Sequence, residues 1–157
     1  MTLPVGREYR FTRYRLQAST ARRRVITVEP QVELGDFYSG DRLELRLNVD
    51  VRARPGVMFF LSSEWNRVSL TEGRFYTKLF RGVAETQFSP WISLVNNVQY
   101  DTQTAVLGWQ SRFRWIVKPG SDLYFVYLHN WLDDPVHRRF STLDRRAASK
   151  VFYTYRF

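Results

Sequence analysis

The chain alternates. In RLELRLNVDVRA, Leu43, Leu45, Leu47, Val49 and Val51 fall on one side of an extended segment, and Arg42, Glu44, Arg46, Asn48, Asp50 and Arg52 on the other. Successive side chains of a β-strand point to opposite faces. A period of two over this length therefore predicts a strand that is apolar on one face and wet on the other. VITVEPQVEL sets Ile26, Val28, Pro30, Val32 and Leu34 against Thr27, Glu29, Gln31 and Glu33. VLGWQSRFRWIV sets Leu107, Trp109, Phe113 and Trp115 against Gln110, Arg112 and Arg114. KVFYTYRF, which ends the chain, sets Val151, Tyr153, Tyr155 and Phe157 against Lys150, Thr154 and Arg156. Helical periodicity is confined to one short candidate, LDRRAASK.

Nine strands are predicted, at 8–18, 25–37, 41–53, 57–68, 74–88, 91–101, 104–117, 122–131 and 147–157. The first, fifth and eighth alternate poorly, and DLYFVYLHNW is apolar on both faces. Most exceed the five or six residues usual in globular proteins, and match the roughly 9–11 residues that cross a bilayer at a tilt. The connections carry a second pattern. ARPG (53–56), SPW (89–91) and KPGSD (118–122) are tight and contain proline, which presets a turn φ. They follow odd-numbered strands and share one rim of an up-and-down meander. YSGD, LTEG, DTQT and the long LDDPVHRRFSTLDRRAA follow even-numbered strands and share the other. Short turns on one rim and longer loops on the opposite one are the habit of outer-membrane barrels. The expected fold is thus all-β: an antiparallel up-and-down meander of about nine long strands, forming a transmembrane β-barrel or the C-terminal part of a larger one. It occupies residues 1–157 as a single domain.

Composition sharpens this picture. Aromatic residues make up 17% of the 157 residues, yet mean hydropathy is only −0.39. Many rings without an apolar run suit strands that are greasy on one face only. No stretch of about 18 apolar residues exists, so no transmembrane helix is expected. The N-terminal MTLPVGREYR lacks the pattern of a signal peptide. There is no cysteine, which removes disulfides, zinc–thiolate clusters and thiol nucleophiles from consideration. Net charge is +9, from 21 Arg and 3 Lys against 15 acidic residues, a balance suited to anionic lipid, acidic polysaccharide or nucleic acid.

The segment FSPWISLVNNVQYDTQTAVLGWQSRFRWIVKPGSDLYFVYLHNW combines an F-S-P turn, a strand ending V-Q-Y-D, then S-R-F-R-W and K-P-G-S-D-L-Y-F-V-Y. YRFTRYRLQASTARRR and GDFYSGDRLEL upstream fit the same template. In these motifs the chain resembles, over nearly its whole length, the C-terminal outer-membrane β-barrel domain of an uncharacterised bacterial family (domain of unknown function 5916). Longer members of that family carry a carbohydrate-binding family-9-like β-sandwich ahead of the barrel. The resemblance implies an outer-membrane location and a role near surface glycans, and it brings no catalytic residues. This chain lacks the sandwich and the earlier strands. Nine antiparallel strands cannot close in the ordinary way, because the first and last run parallel, so further N-terminal strands of a parent chain are an expected partner.

Candidate residues follow from the two faces. Arg42, Glu44, Arg46, Asp50, Arg112 and Arg114, with Arg52, are expected to face a lumen, as cross-strand ion pairs or as a selectivity ring for acidic sugar. Trp91, Trp109, Trp115 and Trp131, with Tyr153 and Tyr155, are expected to form girdles at the two membrane interfaces. Phe157, with Tyr155, Tyr153 and Val151 behind it, resembles the terminal strand signal read by the barrel-assembly machinery. The basic clusters ARRR (21–24) and HRR (137–139) read as solvated loops, the latter alternatively as a contact for lipopolysaccharide phosphates. Neither histidine, His129 or His137, sits in a catalytic pattern. A Ser141–His137–Asp134 set has no supporting spacing, and Asp133–Asp134 reads as turn chemistry. No cofactor or metal is expected, and no enzymatic activity. The leading function is an outer-membrane anchor or conduit associated with surface glycan handling, in contact with outer-membrane lipid and lipopolysaccharide and possessing no chemistry of its own. The alternative is a soluble lipocalin-like barrel with its apolar faces turned inward on a ligand. Nucleic-acid binding is disfavoured, since rings and guanidinium groups lie on opposite faces of the best strands. An outer-membrane enzyme of phospholipase or acyltransferase type lacks a catalytic set.

Overall fold

The structure, a computed structural model, describes residues 10–134 and 139–155. Nine strands form one antiparallel sheet in chain order: β1 (Arg13–Gln17), β2 (Ile26–Phe37), β3 (Gly40–Arg54), β4 (Val57–Leu70), β5 (Gly73–Ser89), β6 (Ile92–Asp101), β7 (Val106–Lys118), β8 (Ser121–Asp134) and β9 (Arg139–Phe152). The meander is as expected. It is not closed: β1 and β9 are its two free edges, and an odd count of antiparallel strands makes them run parallel.

Register explains the two ends. Residues of β1 pair with β2 only from Arg13↔Gly35 to Gln17↔Gln31. The next position on β2 is Pro30, whose carbonyl accepts from the Ala18 amide at 3.1 Å but which has no N–H to return. The regular ladder therefore stops there, which shortens the expected 8–18 strand within the described residues. At the other end, the expected long loop over 132–148 is largely strand. β8 runs on to Asp134 and β9 begins at Arg139, with Asp134 opposite Arg139. LDRRAASK is extended, not helical. Its alternation is hidden because Arg145, Ala147 and Ser149 occupy the face that carries Leu and Val elsewhere, and because Leu143 is skipped in the register between Asn130 and Trp131. The expected difference in loop length between rims shrinks accordingly, to connections of two or four residues on one rim and, apart from the eight residues between β1 and β2, two on the other.

The two-residue rim is built the same way three times. Register slips by one residue just before each turn, between Arg52 and Arg54, Gln87 and Ser89, and Ile116 and Lys118. Such bulges increase local twist. Pro55 and Gly56 form the first turn. Gly56 adopts φ +78°, the left-handed conformation that the third residue of a type II turn requires.

Burial is inverted relative to a soluble domain. Among the described residues Val68 is the one buried hydrophobic side chain, and no side chain is completely enclosed. Glu33 and Glu44, by contrast, are only 5% and 6% exposed, whereas Leu61 is 53% exposed. Leu45, Leu47, Phe59, Trp65, Phe80, Val98, Trp115 and Phe125 are all open as well. Register places every one of these eight on a single face with Leu61, and Glu33, Glu44 and Val68 on the other.

Candidate functional site: a charged face and a ringed face

On the charged face, β1 to β4 carry a continuous ion-pair ladder. Glu33 and Glu44 lie directly opposite each other in the β2–β3 register. Like charges opposite one another repel. They coexist because Arg42 bridges them, its Nη2 lying 2.8 Å from Glu33 Oε1 and 2.8 Å from Glu44 Oε2. The outer oxygens are held separately. Arg15 reaches Glu33 Oε2 at 2.6 Å, and Arg46 reaches Glu44 Oε1 at 2.8 Å. Arg46 then continues the ladder to Glu64 Oε2 at 2.8 Å, and the other oxygen of Glu64 accepts from the Asn66 amide at 2.9 Å. Arg13 closes the near end at 3.8 Å from Glu33, and its guanidinium and that of Arg42 both lie over the Phe37 ring. Four guanidinium groups thus neutralise three carboxylates across four strands. Each carboxylate of this ladder that is taken from water has a partner, which is the condition for its burial.

From β5 to β9 this face is polar but less connected. Arg81 donates to Asn97, Asn130 donates to Asp144, and Arg114 pairs with Asp122 at 3.1 Å beneath the Tyr124 ring. Arg112 and Asp50 make no ion pair among the described residues. Of the six residues expected to face a lumen, Arg42, Glu44 and Arg46 are brought into one network. Arg114 joins a second pair, and Asp50 and Arg112 share the face without joining either. Arg52 donates to the Arg22 carbonyl at 2.5 Å instead, at the rim. Glu33, Glu64, Arg13 and Arg15 complete the ladder and were not singled out from sequence. Their alternation is legible, but which of them meet depends on strand register.

The ringed face gathers its large side chains toward the two rims. Trp109, Tyr127, His129 and Trp131 make one cluster. Trp109 donates to Asn96 Oδ1 at 3.3 Å and meets Tyr127 edge-on at 5.5 Å. His129 stacks on Trp131 at 3.8 Å and lies 3.1 Å from the Thr142 hydroxyl. Trp65, not singled out from sequence, sits toward the same rim under the Lys78 ammonium at 4.8 Å. At the opposite rim are Trp115, and Lys118, which lies over the Tyr153 ring at 4.2 Å and donates to its hydroxyl at 3.0 Å. Trp91, expected in the same girdle, is at that rim in the turn before β6, opposite Ile116, and register does not set it on this face. Tyr153 and Tyr155 are exposed but lie past the end of β9. The strand expected to 157 ends at Phe152 because β8 offers no partner beyond Ser121. Thr154 instead bonds Ser121 and the Gly120 carbonyl. Phe157 lies outside the described residues, as does His137.

Among the described residues no group of three or more acidic or histidine side chains is placed to hold a metal. Among the described residues no helix is long and apolar enough to cross a membrane, which says nothing about crossing by strands. Comparison with protein-family models, with curated proteins and with solved structures finds no match to this chain.

Proposed function

We propose that this sheet is the wall of an outer-membrane β-barrel, serving as an anchor or conduit and contributing no chemistry of its own. The inverted burial carries the reading: carboxylates are occluded while leucines and phenylalanines lie open. In water such a surface would be an aggregation hazard far larger than the patches monomers tolerate. Against acyl chains it is the favourable arrangement, and the charged face then lines water or further polar side chains.

The ring positions support the same reading. Trp131 is level with Leu107, and Trp115 lies eight steps farther along β7 on the same face. At about 3.3 Å per residue and a tilt near 40°, that is a height of roughly 20 Å, within the ~25 Å apolar band of such barrels. The lipocalin-like alternative would turn the exposed leucines inward and leave Glu33 and Glu44 outside, opposite to the observed crowding. A role near surface glycans, contact with lipopolysaccharide and use of the barrel-assembly machinery rest on the resemblance described above. Completion by further strands rests on that resemblance and on the parity of the edges.

The test is behaviour in lipid. Refolded chain should require detergent or vesicles to stay dispersed, and should migrate differently on gels before and after boiling. A monomer that remains folded in plain buffer would end the proposal.

A further inference from the structure

The four arginines of the ladder on the charged face of β1 to β4 have carboxylate partners; the cations at the outer end of the β4–β5 hairpin, on the ringed face, do not. Beyond Trp65 the positions on that face are Arg67 and Ser69 on β4, and Arg74, Tyr76 and Lys78 on β5. Register sets Trp65 opposite Lys78, Arg67 opposite Tyr76, and Ser69 opposite Arg74. Arg67 and Arg74 make no hydrogen bond or ion pair among the described residues. Among the described residues the Lys78 ammonium has only the Trp65 ring, whose indole N–H is fixed by the Ser63 hydroxyl at 2.8 Å. Two carboxylates share this rim of the face: Asp41 opposite Ser69, which forms no ion pair among the described residues, and Asp36 opposite Asp41, which accepts from the Thr12 amide at 3.0 Å. Glu72, in the turn, is bonded to Ser39.

An unpaired guanidinium facing hydrocarbon is costly at mid-bilayer, and this cost falls nearly to zero at the interface. The strand lengths put these cations at the interface. β4 has 14 residues and β5 has 17, against the roughly 9–11 that cross the hydrocarbon. The hairpin therefore projects past the acyl chains, with Trp65 and Tyr76 at the boundary where amphipathic rings settle. Arg67 and Arg74 reach the headgroup layer, and Lys78 lies deeper, its stem able to carry the ammonium outward. The countercharge there is phosphate, which the planar fork of arginine matches with two parallel hydrogen bonds.

We propose that the outer face of the β4–β5 hairpin is a binding site for phosphate-bearing lipid headgroups, held by Arg67, Arg74 and Lys78 over a floor of Trp65 and Tyr76. It rests on the barrel reading above. It is distinct from the HRR cluster at 137–139, whose described member, Arg139, begins β9.

The full chain would be refolded into vesicles of phosphatidylcholine with and without phosphatidylglycerol, extracted, and its retained lipid counted by native mass spectrometry. The unaltered chain should retain the anionic lipid selectively. R67Q, R74Q and K78Q should each weaken retention about fivefold, and together roughly a hundredfold. R145Q, which removes a cation of the same face on β9, should change little. If the triple variant fails to fold, the single variants carry the same test. Equal retention of both lipids, unchanged retention in the variants, or full displacement by inorganic phosphate at the lipid's concentration would overturn the site. Failure to enter vesicles of either composition would remove the barrel reading and the site together, whereas entry without headgroup discrimination removes the site alone.

Discussion

At the scale of single residues, Arg42 is the position on which most depends. Among the described residues its guanidinium is the one that bridges the two carboxylates that register sets face to face. Arg42→Met leaves Glu33 and Glu44 opposed and occluded, each with its outer arginine but with nothing between them. Breaking a buried pair by removing one partner costs about 3 kcal/mol or more. Urea denaturation of the vesicle-refolded variant should show a loss of that size, and Glu44→Gln in the same background should recover part of it. A loss below about 1 kcal/mol, the level of an exposed surface pair, would mean the ladder is solvated decoration. Arg42, Glu44 and Arg46 are legible as a charged stripe from RLELRLNVDVRA alone. Their partners Arg15, Glu33 and Glu64 are not, because those contacts span strands whose relative register no local pattern states.

At the scale of the elements, the limits of β2 and β3, which alternate cleanly in sequence, are predicted within a residue or two, and so are those of β5, which alternates poorly but is bracketed by the legible turns LTEG and SPW. β9 is the opposite case. As an edge strand it has a neighbour on one side only, so its residues carry little packing signal, and Arg145, Ala147 and Ser149 blur its two faces. It is held by its backbone ladder to β8, which sequence periodicity does not report. β1 is held by even less, a five-rung ladder bounded by Pro30 at one end and Gly35 at the other. Gly35 sits at φ +147°, and a methyl group there would come within 2.1 Å of the Thr12 carbonyl oxygen. Gly35→Ala should therefore release β1 while leaving β3 to β8 intact. Hydrogen exchange resolved by segment should show amides at 13–17 losing protection and those of β4 and β5 unchanged. Retained protection in β1 would show that the close approach is not needed for pairing.

For the molecule as a whole, the topology is readable in the sequence, and so is the obstacle to closure. Nine alternating segments joined by short turns predict a meander, and the sheet order follows it strand by strand. Whether a sheet curls shut depends on whether its edges can meet, and here they run parallel with five residues of β1 against fourteen of β9. The central claim concerns the faces: the leucine side meets acyl chains and the glutamate side meets water. Because the chain contains no cysteine, single cysteines can be placed without background. Nitroxide labels at Leu47, Leu61 and Val98, and at Asn48, Ser62 and Asn97, in vesicle-refolded protein would report accessibility to apolar oxygen and to a water-soluble nickel complex. The account predicts strict alternation, with 47, 61 and 98 open to oxygen and closed to nickel, and 48, 62 and 97 the reverse. Nickel access at 47, 61 and 98 equal to that at their neighbours, or the alternation inverted, would contradict it.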